Sequence, residues 1–263
     1  MTDAPRTEWP APLFTGVGVA LLTLLDSGGS VDTGATGALA AGLTGRGVRA
    51  VLACGTTGEP ATLTDAERRA VISAVREAVP AQIPVLAGTG APSAERAADL
   101  TAQAVEAGAE AVLAWPPPGS EDLPGYFAAI AAVAQGRPVL AYHIPWISAP
   151  GVPVQALAGL PVAGIKDSSG SPDRLIEEIA YYPGATYTGS SALLAVAGPM
   201  GGTGAILAAA NVEPELCCAA FAGDGNAQRA LAEVHLAGRA GGPRALKAIL
   251  AQRHGVSALS RAS

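Results

Sequence analysis

The segment VRAVLACGTTGEPATLTDAERRAVISAVREAV, residues 48–79, contains one complete strand, turn and helix. Its first part, VRAVLAC, is apolar almost throughout instead of alternating with polar residues, which is typical of a parallel strand covered on both faces. The helix begins after Thr64, a favoured N-cap residue that is followed by Asp65 and Glu67. Between strand and helix lies the turn GTTGE. This unit predicts an α/β fold built on a parallel sheet.

The same unit recurs along the whole chain, as short runs rich in Val, Ile and Leu followed by longer Ala-rich, amphipathic segments. The predicted strands are 16–22, 48–54, 83–88, 109–115, 138–144, 161–166, 185–189 and 203–209. The predicted helices are 32–44, 64–79, 93–107, 121–134, 153–159, 171–181, 190–198 and 212–222. Eight such units in one chain predict a (β/α)8 TIM barrel, with a doubly wound open sheet as the competing architecture.

The chain continues beyond the eighth unit. Residues 224–256 predict two further helices, with Gly241, Gly242 and Pro243 between them. No change of composition marks a linker to a second domain. We therefore expect the barrel over 14–222 and a short C-terminal helical extension of the same domain over 223–263.

The composition is that of a compact globular protein. The 263 residues are 49% hydrophobic and 14% charged, with a net charge of -6. The acidic balance and the lack of a basic block argue against a nucleic-acid partner. Neither an apolar signal sequence nor a stretch of about 18 apolar residues free of Gly, Pro and charge is present. We expect a cytoplasmic protein with no membrane partner.

The cysteines and histidines do not indicate a metal site. Cys54, Cys217 and Cys218 fit neither a disulfide framework nor spaced zinc pairs, because two are adjacent and the third is distant. We expect all three to be structural thiols. No His, Cys or Asp cluster has metal-ligand spacing. Neither a metal nor another cofactor is predicted.

Lysine is rare in this chain. Its 16 cationic side chains are fourteen Arg and only two Lys, Lys166 and Lys247. Lys166 ends the apolar run VAGIK, directly before the turn DSSG. A lysine in this place either reaches solvent or is buried, and a buried lysine suits Schiff-base catalysis because desolvation disfavours the ammonium form. Arginine cannot take that role, since it keeps its proton at working pH.

Active-site side chains of a (β/α)8 barrel lie at the carboxyl ends of the strands. Here those ends carry Thr56 and Thr57 after the second strand and Tyr142 on the fifth. The turn can hold a carboxylate, and a phenol can relay a proton. Considered alone, the turn is also consistent with a capped connection, and Tyr142 with packing at the barrel mouth. His143 faces away from Tyr142 if the strand alternates, so we interpret it as a packing or supporting residue.

Four motifs, in the order in which they occur, resemble those of one known superfamily. They are GTTGE at 55–59, the tyrosine of YHIP at 142–145, GIKDSSG at 164–170, and GGTGAI at 201–206 with Asn211. Together they resemble the dihydrodipicolinate synthase and N-acetylneuraminate lyase superfamily. The resemblance implies a (β/α)8 barrel, a lysine-dependent class I aldolase and a homo-oligomer, either a dimer or a tetramer.

The resemblance also assigns roles to individual residues. Lys166 matches the lysine that forms an imine with pyruvate or another 2-oxo acid, and Tyr142 matches the tyrosine that relays protons. Thr56, near that tyrosine's hydroxyl, and Thr57 match the pair that binds the 2-oxo acid carboxylate. Ile206 matches a position whose backbone lines the pyruvate pocket. We therefore predict catalytic roles for Lys166, Tyr142 and Thr56. The predicted substrate-binding residues are Thr56, Thr57, Gly58, Trp146, Ser168, Gly189, Ser191 and Ile206.

Some positions depart from the family's pattern. Ile147 stands where dihydrodipicolinate synthases have an arginine for the carboxylate of their aldehyde, and WPPP at 115–118 replaces a relay tyrosine. The loop GSSA at 189–192 lacks the acidic residues that sialic acid lyases use for a polyol tail. These differences predict a less charged aldehyde, such as a small sugar fragment or an apolar aldehyde.

The leading hypothesis is a pyruvate-dependent class I aldolase that cleaves or forms a 2-oxo-3-deoxy or 4-hydroxy-2-oxo acid, with pyruvate and an aldehyde as its small-molecule partners. The same imine chemistry permits a 2-oxo acid dehydratase or hydratase, or a condensation of the dihydrodipicolinate synthase type. A non-catalytic 2-oxo acid binding protein is an alternative from another class. A phosphate-binding barrel enzyme is a further alternative, because GGTG at 201–204 falls where such barrels hold phosphate.

Overall fold

The computed structural model describes residues 11–262 and shows a closed barrel of eight parallel strands surrounded by helices. The strands are β1 Gly16–Ala20, β2 Ala50–Ala53, β3 Val85–Gly88, β4 Ala111–Ala114, β5 Val139–His143, β6 Gly164–Asp167, β7 Ala185–Thr188 and β8 Gly204–Leu207. The helices that follow them in turn are α1 Thr33–Gly45, α2 Asp65–Ala78, α3 Ala94–Glu106, α4 Leu123–Val133, α5 Val154–Leu157, α6 Pro172–Tyr181, α7 Leu194–Ala197 and α8 Pro214–Phe221. The predicted (β/α)8 barrel is confirmed, and the open sheet is wrong, because β1 pairs with β8.

The strands and helices lie close to the predicted segments, and side chains cap several helices. β6 extends one residue beyond its predicted range, to Asp167. At the start of α2, the Thr64 hydroxyl accepts from the backbone N–H of Glu67, and the Glu67 carboxylate accepts from the backbone N–H of Thr64. Ser93 caps α3 by accepting from Arg96. Each cap satisfies a backbone N–H that has no partner inside the helix.

Side chains alternate along each strand between two cores. In β2, Ala50 and Leu52 face the interior of the barrel, where they pack with residues from the other strands. Val51 and Ala53 face outward and pack against the surrounding helices. Because every strand obeys this period of two, the position of a residue along its strand decides whether its side chain enters the barrel.

At the end of the seam between the first and last strands lies Asn211, which is fully buried. Its Oδ1 accepts from the backbone N–H of Leu22 at 3.0 Å, just beyond β1. Its Nδ2 donates to the carbonyls of Ala20 at 2.7 Å and Ala208 at 2.9 Å. Buried backbone groups need partners, and the side-chain amide of Asn211 supplies the donor and the acceptor together.

Two further helices pack against the barrel, α9 Gly225–Ala230 and α10 Ala232–His254. α10 is kinked at Gly242, whose φ of 53° and ψ of -142° are not helical and favour glycine. The kink lies within the predicted break at residues 241–243. Val234 and Leu250 of α10 are buried in the outer core. Of the predicted extension, residue 263 lies outside the described residues, as do residues 1–10 at the other end.

The second lysine of the chain, Lys247, links α10 to the barrel through an ion pair. Lys247 is fully buried, and its Nζ lies 3.0 Å from Oε1 of Glu59 in the GTTGE turn. The Ser260 hydroxyl donates to Glu59 Oε1 at 2.6 Å, and the backbone N–H of Arg261 donates to Oε2 at 2.9 Å. Burial raises the pKa of Glu59, but these partners outweigh it and lower the pKa overall. The segment after α10 therefore closes over the turn that carries Thr56.

Among residues 11–262, no helix is long and apolar enough to span a membrane.

Replacing Asn211 with Ala removes three hydrogen bonds at the seam and leaves the buried Leu22 N–H and Ala20 carbonyl without partners. We expect the free energy of unfolding to fall by about 2–4 kcal/mol, since each buried unsatisfied group costs about 1–3 kcal/mol. Urea unfolding followed by circular dichroism measures the change. The matched control, Asn226→Ala, removes an exposed amide and should change stability by less than about 0.5 kcal/mol. Equal stability of the two variants would contradict this role for Asn211.

Candidate active site

A cavity of about 440 Å³ opens at the carboxyl ends of the strands, a size typical of small-molecule sites. Its walls come from the ends of β2, β5, β6, β7 and β8, the loops that follow them, and one face of α10. Among the described residues, no acidic side chain lines it, and its cationic side chains are Lys166 and Arg239. The cavity therefore favours an anionic ligand.

Lys166 lies on the inner wall of the barrel between two tyrosines. In the strand register, Lys166 is the partner of Tyr142 on β5 and of Tyr187 on β7. Its neighbour Ile165 faces the outer core, as the alternation requires. Lys166 is only 4% exposed, and its Nζ lies 4.4 Å from the centroid of the Tyr142 ring. The Tyr187 hydroxyl donates to the Phe14 carbonyl, which leaves Tyr142 as the phenol that lines the cavity.

The Tyr142 hydroxyl is held by Ser168, whose hydroxyl donates to it at 3.1 Å. The resemblance predicts Thr56 beside this hydroxyl; Thr56 also lines the cavity, but in the described chain the hydrogen-bond partner of Tyr142 is Ser168. Gly189 makes this arrangement possible. A Cβ on Gly189 would lie 2.0 Å from Ser168 Oγ and 3.1 Å from Lys166 Cε.

The GTTGE turn presents two threonines to the cavity. It forms a 3₁₀ turn over Thr56–Gly58, which ends at Glu59 in the left-handed conformation with φ 56°. Neither the Thr56 nor the Thr57 hydroxyl has a hydrogen-bond partner among residues 11–262, so both are free to bind a ligand. Gly58 does not line the cavity: its N–H donates to the Gly55 carbonyl and its own carbonyl accepts from the Thr23 hydroxyl. Both backbone groups are used within the scaffold, and its predicted role in substrate binding stays a prediction.

Two polar residues next to the site belong to the scaffold. His143 is buried outside the cavity, and its Nδ1 accepts from the backbone N–H of Val152 at 3.1 Å. Burial lowers the pKa of His143 to about 4, so the imidazole is neutral near pH 7. The Asp167 carboxylate accepts from the N–H and the hydroxyl of Ser169, which fixes the DSSG turn after β6. The position of His143 agrees with its interpretation as a packing or supporting residue.

The wall formed by α10 was not predicted from the sequence. His235 and Arg239 of this helix both line the cavity. His235 Nδ1 lies 2.9 Å from the Ser191 hydroxyl, and Arg239 Cζ lies 5.7 Å from the centroid of the Trp146 ring. The two residues are four positions apart and therefore share one face of the helix. That spacing was the available signal in the sequence.

The structure brings together nine of the ten predicted site residues, with Gly58 as the exception. The nine that line the cavity are Thr56, Thr57, Tyr142, Trp146, Lys166, Ser168, Gly189, Ser191 and Ile206. Ile147 packs at the edge of the inner core. The carbonyl of Trp115 accepts from the Tyr126 hydroxyl at 2.7 Å. The Tyr126 hydroxyl is therefore bound to the backbone that follows β4.

The family model of the dihydrodipicolinate synthetase family matches residues 13–237. The chain belongs to this family. A 4-hydroxy-tetrahydrodipicolinate synthase from Stutzerimonas stutzeri is 37% identical over 240 residues, covering 84% of this chain and 80% of the relative. A 4-hydroxy-tetrahydrodipicolinate synthase from Methylococcus capsulatus is 37% identical over 226 residues, covering 81% of this chain and 77% of the relative.

Solved structures of the family have the same fold. A dihydrodipicolinate synthase from Acinetobacter baumannii, complexed with pyruvate, is 25% identical with a TM-score of 0.85, covering 95% of this chain and 92% of that one. The dihydrodipicolinate synthase from Aquifex aeolicus is 28% identical with a TM-score of 0.82, covering 95% and 91%. The predicted family is confirmed, and so is the predicted enzyme class: the protein is a Schiff-base lyase of the class I aldolase type.

Replacing Gly189 with Ala tests whether the positions of Ser168 and Lys166 in the cavity wall serve the reaction. The new methyl group would meet the hydroxyl and Cβ of Ser168 and Cε of Lys166, so both side chains must shift. The rate of the Schiff-base reaction should fall at least about tenfold, because a misplaced acid–base group loses much of its contribution. The control Gly42→Ala adds a methyl group in open space on α1 and should keep the full rate. A full rate in Gly189→Ala would show that the Ser168 contact is dispensable.

Proposed function

We propose that this enzyme joins pyruvate to an aldehyde, or cleaves the resulting 2-oxo-3-deoxy or 4-hydroxy-2-oxo acid, through a Schiff base on Lys166. The observation that carries the proposal is the burial of Lys166 beside Tyr142, on the wall of a cavity that no acidic side chain of the described chain lines. An amine shielded from bulk water and from carboxylates is suited to attack on a carbonyl.

The reaction divides into steps that this arrangement supports. Lys166 Nζ bonds to C2 of pyruvate, and the carbonyl oxygen leaves as water. The protonated imine withdraws electrons, so a proton leaves C3 and an enamine forms. C3 then bonds to the aldehyde carbon, whose oxygen takes up a proton to become a hydroxyl. Water hydrolyses the imine and releases Lys166. Cleavage follows the same steps in reverse.

Tyr142 is the group that we propose moves these protons. It lies on the strand next to Lys166, and it is the phenol nearest the amine on the cavity wall. Because Ser168 donates to the Tyr142 oxygen, the phenol keeps its own proton free for the substrate. Proton relay by a positioned side chain typically contributes about 10²–10⁴ to a rate.

Thr56 and Thr57 complete the proposed pyruvate site. Both hydroxyls line the cavity and have no partner within residues 11–262. They can donate to the pyruvate carboxylate, which places C2 next to Lys166. Ile206 of β8 adds an apolar surface on the same wall. This half of the cavity suits a small 2-oxo acid.

We further propose that the protein forms a homo-oligomer, a dimer or a tetramer, as the resemblance implies. Two large apolar side chains support this, Tyr181 at 79% exposed and Leu236 at 64% exposed. Side chains of this kind are commonly buried at subunit interfaces.

The proposal predicts that the enzyme exchanges the C3 protons of pyruvate with deuterium in D2O without any aldehyde, because the enamine forms and reverses. Proton NMR of pyruvate measures the rate. Lys166→Ala should abolish exchange, and Tyr142→Phe should slow it by about 10²–10³. The control Tyr181→Phe alters an exposed tyrosine and should keep the wild-type rate.

Binding of pyruvate without exchange would instead favour a non-catalytic 2-oxo acid binding protein. Full exchange in Lys166→Ala would contradict the Schiff base. If exchange is present, the products formed from 4-hydroxy-2-oxo acids distinguish aldol cleavage from dehydration. An aldolase releases pyruvate, and a dehydratase does not.

A further inference from the structure

We infer that Arg239 is the specificity-determining residue for the second substrate and selects an aldehyde that carries a carboxylate. The inference rests on the proposed function, since it concerns the half of the cavity that pyruvate leaves open. It replaces the expectation of a less charged aldehyde, because the residues on which that expectation rests do not include α10.

Arg239 reaches the cavity because of the way α10 crosses the barrel mouth. His235, Gly238, Arg239 and Gly242 all line the cavity, at spacings of three or four residues. This is one face of a helix. Buried Val234 and Leu246 on the same helix hold that face against the barrel. The backbone of Arg239 therefore belongs to a packed wall of the site, and its exposed side chain extends from that wall.

The charge of Arg239 is not neutralised within the described chain. No carboxylate of residues 11–262 lies within 4.0 Å of its guanidinium, whereas Arg46, Arg174 and Arg253 each form an ion pair. No acidic side chain lines the cavity either. A planar guanidinium with free N–H groups binds a carboxylate through two parallel hydrogen bonds.

Two neighbouring side chains, Trp146 and His235, shape the surroundings of the guanidinium. Its Cζ lies 5.7 Å from the centroid of the Trp146 ring, close enough for the ring to attract the cation. His235 is fixed by its contact with Ser191. Burial, with the nearby Arg239, lowers the pKa of His235, so the imidazole is neutral near pH 7. Arg239 is then the cation at this end of the cavity.

The position of Arg239 also explains how the site can have an isoleucine, Ile147, in place of an arginine. In the resemblance, a synthase grips its aldehyde carboxylate with an arginine at the position of Ile147. Here Trp146, one residue before Ile147, lies beside an arginine that comes from a different element, α10. One guanidinium with no second cation beside it suits a carboxylate, which has a single charge, better than a phosphate.

The test compares 2-oxo acids that mimic the aldol adduct as inhibitors of pyruvate C3 exchange. 2-Oxoglutarate and 2-oxoadipate carry a distal carboxylate; 2-oxopentanoate and 2-oxohexanoate have the same chain lengths with a methyl group instead. For at least one length, the diacid should inhibit the wild type at a concentration at least roughly fivefold lower than the monoacid, as an ion pair of this exposure allows. The preference should shrink at high salt.

Arg239→Gln should reduce the preference to near one, and Arg239→Lys should keep part of it. The matched control Arg244→Gln removes an exposed arginine of α10 that does not line the cavity, and it should keep the full preference. Each preference is the ratio of the inhibitory concentrations of monoacid and diacid for one variant. A change in that variant's exchange rate therefore cancels. Equal inhibition by diacid and monoacid in the wild type, or an unchanged ratio in Arg239→Gln, would overturn the inference alone. Absence of exchange in the wild type would overturn both this inference and the proposed function.

Discussion

Closure of eight parallel strands into one barrel forces alternate residues of every strand into a shared interior, and the site depends on this constraint. Lys166 and Tyr142 are register partners on neighbouring strands, so both side chains enter the interior at the same level. A shift of one residue in either strand would turn one of them into the outer core. Asn211 adds side-chain hydrogen bonds at the end of the seam where the first and last strands pair.

The two lysines of the chain are both buried, but their surroundings give them different tasks. Lys247 lies against Glu59 and is fixed as half of an ion pair. Lys166 lies against an aromatic ring and a cavity that no carboxylate of the described chain lines. Removing one partner of a buried ion pair leaves an uncompensated charge, which destabilises the fold. Lys247 therefore has a structural role. The lysine without a carboxylate partner is the one placed for chemistry.

Much of the fold and the pyruvate half of the site could be predicted from the sequence. Apolar runs without alternation, glycine-rich turns and caps such as Thr64 marked the strands and helices, and the scarcity of lysine singled out Lys166. That Gly58 does not line the cavity could not be predicted, because the sequence does not show that both of its backbone groups are used in the turn. Arg239 was missed because its place depends on how α10 crosses the barrel, which long-range packing and the kink at Gly242 decide.

The most direct test of the central claim is reduction with borohydride in the presence and absence of pyruvate, followed by intact mass and peptide mapping. The account predicts one pyruvate-dependent adduct, located on the peptide that contains Lys166 and absent from Lys166→Ala. With only two lysines in the chain, the assignment is unambiguous. No adduct, or an adduct on Lys247 alone, would contradict the account.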